Sequence, residues 1–87
     1  MVNLKIYGKV HGVLFRRYAK AEADELGLVG WVRNNKDGSV EIVAQGDEGK
    51  LKQFVDWCKK GPPMANVDRV EEDWLNEGDE FEGFSII

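Results

Sequence analysis

The residues whose types and spacing favour chemistry lie between the first strand-like segment and the first helix-like segment. Gly8 and Gly12 flank a short loop, and Arg16 follows in the expected first helical turn. Glycines allow such a loop to curl until its backbone N–H groups converge, and a helix start leaves four N–H groups unpaired. An arginine guanidinium binds two phosphate oxygens at once. The pattern predicts an anion-binding loop, although turn glycines and a solvated arginine would give the same local pattern.

The charge of the chain is unevenly distributed. The 87 residues carry a formal net charge of −4. Residues 1–46 contain seven basic and five acidic residues, whereas residues 47–87 contain five basic and eleven acidic ones. A general nucleic-acid binder depends on a basic surface, so this composition argues against nucleic acid as a partner. An anionic small molecule would be attracted to the first half.

Several other functional classes are disfavoured by composition. Cys58 is the only cysteine and His11 the only histidine, so a disulfide scaffold is excluded and a zinc site lacks ligands. No apolar stretch approaches the roughly 20 residues that span a bilayer. We expect a cytoplasmic protein without a membrane anchor, metal or cofactor. Cys58 falls on an apolar helical stripe, which predicts a buried, inert thiol.

The periodicity of apolar residues predicts five strands and two helices. Alternation predicts strands at 2–7, 29–35, 39–45, 67–75 and 82–87. Helical spacing predicts one helix that starts at residue 15 and is closed by Gly27, and another that Asp47 caps and the 61–63 Gly-Pro-Pro segment ends. The predicted buried faces consist of Phe15, Tyr18, Ala19, Ala23 and Leu26 in the first helix, and of Leu51, Phe54, Val55 and Cys58 in the second. Trp31, Trp57 and Trp74 are expected in the core or at its edge.

The order of these elements predicts the fold class. Two helices with one apolar face each and strands with alternating faces favour two packed layers. We therefore expect an α+β, ferredoxin-like sandwich, with a mainly antiparallel sheet of four to five strands and both helices on one face. Residues 1–87 are expected to form a single domain.

Two longer blocks of sequence carry a family resemblance. Residues 8–16 read Gly-Lys-Val-His-Gly-Val-Leu-Phe-Arg, which resembles the acylphosphatase signature Gly-x-Val-Gln-Gly-Val-x-Phe-Arg. Residues 27–34 and 37–41 resemble the second conserved block of that family, and the separation of the blocks also matches. The likeness continues through residues 61–63 and 67–70. On these motifs the chain is identified as a member of the acylphosphatase family.

The resemblance implies an activity and a site. The implied reaction is hydrolysis of an acyl phosphate to a carboxylate and inorganic phosphate, without a metal. We also expect a monomer. Arg16 matches the family's phosphate-binding arginine, and Asn34 matches the asparagine that orients the attacking water. The matching phosphate cradle is the backbone of His11, Gly12, Val13, Leu14, Phe15 and Arg16. His11 departs from the family, which usually has glutamine there, so an imidazole N–H would have to support the loop in place of an amide.

Two other hypotheses on the function remain open at this point. The loop could belong to a phosphate-binding module that does not turn over its ligand. The fold could also serve a nucleic-acid binder, which would need exposed aromatic side chains on a basic sheet face. Tyr7 is the only clear candidate for such a side chain nearby.

Overall fold

The computed structural model describes residues 1–87 and confirms the predicted order of elements. The elements are β1 (Val2–Lys9), α1 (Phe15–Glu25), β2 (Val29–Asn34), β3 (Val40–Gln45), α2 (Glu48–Lys60), β4 (Asn66–Trp74) and β5 (Phe84–Ile86). Strand β5 is shorter than predicted.

Strand β1 lies near the centre of the sheet and leads directly into the candidate loop. Val2, Leu4 and Ile6 are fully buried, as the alternation predicted. The strand runs past Gly8, where the pairing register with β4 shifts. Gly8 has a φ of 126°, and a Cβ there would lie 2.2 Å from the Asn66 carbonyl oxygen. Gly8 therefore serves the close approach of β1 and β4, and not the curl of the loop.

The sheet has the strand order β4-β1-β3-β2-β5. All pairings are antiparallel except the one between β2 and β5, which is parallel. Leu4, Ile42 and Val32 stand opposite one another on β1, β3 and β2, and they share one core cluster with the buried residues of both helices. Both helices therefore cover the same face, which confirms the ferredoxin-like α+β sandwich.

Helix α1 buries a narrower face than predicted. Phe15, Ala19 and Ala23 are buried at a spacing of four residues, whereas Tyr18 is 46% exposed. The prediction that Tyr18 belongs to the buried face was wrong, because a stripe along one i, i+4 row leaves the i+3 position at its margin. Neither helix is long and apolar enough to cross a membrane.

Helix α2 buries the four residues predicted for it, including Cys58. Burial, and secondarily the carboxylate of Glu22, raises the pKa of the Cys58 thiol well above its usual value. The thiol therefore stays protonated, which fits the predicted inert role.

The three tryptophans occupy different environments. Trp57 packs against Phe15 and Phe54, with ring centroids 5.5 and 6.3 Å away. Trp31 lies on the sheet face opposite the helices, with the Arg33 guanidinium carbon 4.9 Å from its ring centroid. Trp74 is largely exposed on the edge strand β4 and does not belong to the core.

Candidate functional site

The loop between β1 and α1 is anchored by buried side chains and curled by its backbone. Val10, Val13 and Phe15 are buried. Gly12 has a φ of 70° and Leu14 a φ of 63°, while Val13 between them has a negative φ. Alternating signs of φ turn successive N–H groups toward the same side, which is the geometry of an anion-binding nest. The backbone of the loop thus bends sharply at Gly12 and Leu14.

The N–H groups of this loop have no acceptors within the protein. Val10 N donates to the Gly8 carbonyl at 3.1 Å, and the next amide with a partner is Tyr18 N, which donates to the Leu14 carbonyl at 3.1 Å. Every backbone N–H from His11 to Arg17 lacks a protein acceptor. Leu14 is the N-cap of α1, and no side chain caps this helix. The unpaired N–H groups and the helix dipole together give the loop a positive potential.

Arg16 and Arg17 add formal charge to the same region. Both side chains are exposed, and neither takes part in any of the five ion pairs of the molecule. Both also line a cavity of about 330 Å³ at the mouth of the loop. The lining residues of this cavity are Val10, Gly12, Leu14, Phe15, Arg16, Arg17, Asn34 and Ile86. A guanidinium without an internal carboxylate partner is available to bind an anion there.

Asn34 also lines this cavity, but it comes from strand β2 and not from the loop or α1. It is the last residue of β2, where it pairs with Val40 of β3. Its side chain is partly buried and makes no hydrogen bond with another protein group. The structure therefore places an uncommitted amide in the same cavity as Arg16. An amide can both donate to and accept from a water molecule.

A polar network holds the β2–β3 hairpin that carries Asn34. The Glu41 carboxylate accepts hydrogen bonds from Arg33 Nη2 at 3.0 Å, Asn35 Nδ2 at 3.2 Å and Asn3 Nδ2 at 3.2 Å. Burial alone would raise the pKa of Glu41, but these hydrogen bonds and the Arg33 charge keep its pKa below the usual value. The ionised carboxylate therefore fixes three side chains around the end of β2.

His11 connects the loop to this hairpin. Its Nε2 lies 2.9 Å from the Ser39 carbonyl oxygen, so Nε2 carries the proton and donates it. The same carbonyl accepts from Asn35 N at 2.8 Å. The imidazole is thus turned toward the hairpin, and His11 does not line the cavity. Val13 does not line the cavity either, because its side chain is in the core. Any contact of these two residues with a ligand would come from their backbone.

Three cavity residues were absent from the predicted site. Val10 and Arg17 flank the predicted loop, and only their position next to it in the sequence could have indicated that they line the cavity. Ile86 comes from β5, which reaches the cavity by pairing with β2 at Val32. No local pattern around residue 86 indicates that contact.

Comparison with known proteins identifies the family. The model of the acylphosphatase family matches residues 2–86. The chain belongs to the acylphosphatase family. The predicted resemblance is thereby confirmed, and the activity of the enzyme is the hydrolysis of acyl phosphates.

Individual acylphosphatases align over nearly the whole chain. The acylphosphatase of Thermococcus kodakarensis is 46% identical over 98% of this chain and 92% of that protein. The acylphosphatase of Pelotomaculum thermopropionicum is 44% identical over 97% of this chain and 91% of that protein. The crystal structure of the Bacillus subtilis acylphosphatase superimposes with a TM-score of 0.96 at 37% identity, covering 99% of this chain and 96% of that one. This agreement confirms the predicted fold and the predicted enzyme class.

Proposed function

We propose that the substrate's phosphate group binds to the backbone N–H groups of residues 11–16 and to the guanidinium of Arg16. The observation that supports this most is the run of unpaired amides in the loop that borders the cavity, which Arg16 also lines. Backbone donors held by buried anchors need no reorganisation when a charge develops on the phosphoryl oxygens. A guanidinium adds two parallel donors and a full positive charge.

Asn34 orients the attacking water in this proposal. Its side-chain amide is uncommitted and shares the cavity with Arg16. Asn34 would hold the water in line with the phosphorus–oxygen bond to the acyl group. The attack then becomes effectively unimolecular, which lowers the entropic part of its barrier. Phosphoryl transfer passes through a loose transition state, so positioning and charge stabilisation account for most of the catalysis.

The reaction proceeds without a protein base in this scheme. The water attacks phosphorus, the bond from phosphorus to the acyl oxygen breaks, and the carboxylate leaves with the electron pair. A carboxylate is a stable leaving group and needs little protonation. The amide of Asn34 does not accept a proton at neutral pH, so the proton of the water passes to a phosphate oxygen. The products are a carboxylate and inorganic phosphate, and phosphate also acts as a competitive inhibitor.

We further propose that the enzyme acts as a single-domain, cytoplasmic monomer without a metal. The positive charge that a metal would supply is provided here by Arg16, the amides and the start of α1. A cytoplasmic location and a monomeric state fit a compact enzyme for small acyl phosphates. The negative net charge disfavours nucleic acid as a partner.

The test is hydrolysis of benzoyl phosphate by the wild type and by Arg16→Ala, each with and without EDTA. We expect turnover by the wild type that EDTA does not change, and a loss of roughly 10²–10³-fold in kcat/KM for the variant. Arg69→Ala is the matched control, because Arg69 is an exposed arginine on β4 that stacks on Tyr7 and lies outside the cavity. A wild type that binds phosphate but lacks turnover would contradict the catalytic roles.

A further inference from the structure

Leu14 occupies a backbone conformation that leucine rarely adopts. Its φ of 63° and ψ of 23° lie in the left-handed region, and it is the only non-glycine residue of the chain with positive φ. Such a conformation disfavours a residue with a Cβ by about 1–2 kcal/mol, and glycine or asparagine usually occupies it. Burial of the side chain offsets little of that cost, because Leu14 is 56% exposed. Core packing therefore does not explain a leucine at this position.

Ile86 presents a second exposed apolar side chain to the same cavity. It stands opposite Val32 on the helix-facing side of the sheet, where it continues the row formed by Leu4, Ile42 and Val32. The row is fully buried as far as Val32, but Ile86 is 43% exposed because it lies beyond the end of the core. Lys20 ties α1 to β5 through a 2.9 Å hydrogen bond to the Phe84 carbonyl, which keeps this part of β5 beside the helix.

The cavity thus has two chemically different parts. Arg16, Arg17 and the amide loop contribute positive charge to the lining, and Leu14 and Ile86 contribute exposed apolar side chains, which together we call the apolar ledge. The volume of about 330 Å³ lies at the lower end of the roughly 300–1,000 Å³ typical of ligand pockets. A phosphate ion has only about five non-hydrogen atoms, so the cavity has room for more than the phosphate group.

An acyl phosphate has the same two-part character, with an anionic phosphate joined to an acyl group. We propose that the apolar ledge binds the acyl group, so that the enzyme prefers acyl phosphates with an extended apolar acyl chain or ring over acetyl and carbamoyl phosphate. This inference rests on the proposed function, because it assumes that the phosphate occupies the amide loop. Acetyl phosphate offers the ledge a single methyl group, and carbamoyl phosphate offers it a polar amino group that would lose its water.

The test compares kcat/KM for benzoyl, acetyl and carbamoyl phosphate in the wild type, Ile86→Thr and Leu14→Gly. Threonine keeps the β-branched shape that suits β5, and glycine adopts the left-handed backbone without adding a side chain that could cap α1, so each variant mainly removes apolar surface. We expect the wild type to favour benzoyl phosphate, and each variant to lower the benzoyl-to-acetyl ratio by about 3–10-fold, the effect of one or two methylene groups.

Ile87→Thr is the matched control, since Ile87 is the neighbouring residue, is 60% exposed and does not line the cavity. Its benzoyl-to-acetyl ratio should equal that of the wild type. Competitive inhibition by inorganic phosphate, measured in all variants, shows whether the amide loop still binds its anion.

Each outcome decides between the two claims. Turnover of all three substrates with a ratio that neither variant changes, or with an equal change in Ile87→Thr, would overturn the apolar ledge and leave the proposed function intact. A wild type without preference for benzoyl phosphate would do the same. Failure of the wild type to hydrolyse any of them would overturn the proposed function and the ledge with it.

Discussion

The two helices of this enzyme begin in opposite ways. At the start of α2, the Asp47 side chain accepts a hydrogen bond from Lys50 N at 3.1 Å, and Glu48 places a negative charge in the first turn. At the start of α1, Leu14 occupies the cap position without a capping hydrogen bond, and no acidic residue lies in the first turn. Two arginines stand there instead. One helix start is thus capped by a side chain, and the other has no capping partner within the protein.

This contrast shows where the fold gives up stability, and the proposed phosphate site would account for that loss. A polar cap contributes typically about 1 kcal/mol, and a leucine in a left-handed conformation costs a similar amount. Cationic side chains at a helix start are also unfavourable, because they face the positive end of the helix dipole. All three effects destabilise the start of α1, and a bound phosphate would offset the repulsion between the arginines and the helix dipole. Substitutions at the two helix starts and at the hairpin should therefore separate into effects on turnover and effects on stability.

Removing the guanidinium at α1 should have the largest effect. For Arg16→Ala we expect kcat/KM for benzoyl phosphate to fall by about 10²–10³-fold, roughly 3–4 kcal/mol, and inhibition by phosphate to weaken strongly, because ground and transition states share the contact. Arg16→Lys should recover only part of this loss, since an ammonium does not form the two parallel hydrogen bonds. Steady-state kinetics with Arg69→Ala as control measure the effect, and an Arg16→Ala enzyme within tenfold of the wild type would refute it.

Removing the amide at the end of β2 should affect turnover without affecting anion binding. For Asn34→Ala we expect kcat to fall by about 10²-fold, while the inhibition constant for phosphate stays within about twofold of the wild type, since in the proposed mechanism Asn34 contacts the water and not the phosphate. Asn76→Ala, at an exposed asparagine outside the cavity, is the control. Weakened phosphate inhibition in Asn34→Ala would instead assign the residue to the phosphate site.

Disturbing the hairpin network should lower stability more than turnover. For Glu41→Gln we expect a loss of about 1–2 kcal/mol in the free energy of unfolding at neutral pH, and a change of less than about tenfold in kcat. The folded pKa of Glu41 is lowered, so its ionisation stabilises the protein above about pH 4.3, the usual glutamate pKa, and this contribution disappears as the pH falls.

Urea unfolding at neutral and at acid pH tests whether the contribution of Glu41 to stability falls on acidification. The stability difference between wild type and Glu41→Gln should narrow as the pH falls through the acid range. Glu77→Gln, in the exposed turn after β4, should show no comparable difference at either pH. A gap between wild type and Glu41→Gln that widens on acidification would contradict the stabilising role of the carboxylate.

Removing the cap of α2 should have the smallest effect, and on stability alone. For Asp47→Ala we expect a loss of about 1 kcal/mol in the free energy of unfolding, measured by urea denaturation, with kcat/KM unchanged. The substitution makes the start of α2 as bare as the start of α1, but it creates no site because no curled loop or arginine accompanies it. Altered kinetics in this variant would show that the two helix starts are coupled.

The sequence predicted most of the fold because each element has a clear period. The buried Val2, Leu4 and Ile6 follow the two-residue period of a strand, and the buried face of α2 follows the helical one. Periodicity does not reveal how wide a buried stripe is, and for that reason it wrongly predicts a buried Tyr18. It also does not distinguish an interior strand from an exposed edge, which is where Trp74 lies.

The candidate site was only partly predictable. Arg16 and Asn34 could be named because whole blocks of sequence resemble one family, and the structure places both at one cavity. The contact of His11 with the Ser39 carbonyl depends on how two distant turns meet, and the approach of Ile86 depends on a parallel strand pairing. The left-handed conformation of Leu14 has no local signal either, because leucine is not a residue from which it would be inferred.

The shortness of β5 has a dynamic consequence. It pairs with β2 only from Gly30 to Val32, and two further hydrogen bonds flank this pairing, from Gly30 N to the Gly83 carbonyl and from Ile87 N to the Val32 carbonyl, each at 2.9 Å. Phe84 anchors the start of the strand in the core, but so few bonds beyond it allow the end of β5 to fray at a free energy far below that of global unfolding. Transient fraying would widen the entrance for bulky acyl groups while the amide loop keeps its shape. The amides at the end of β5 should then exchange with deuterium faster than those of β1.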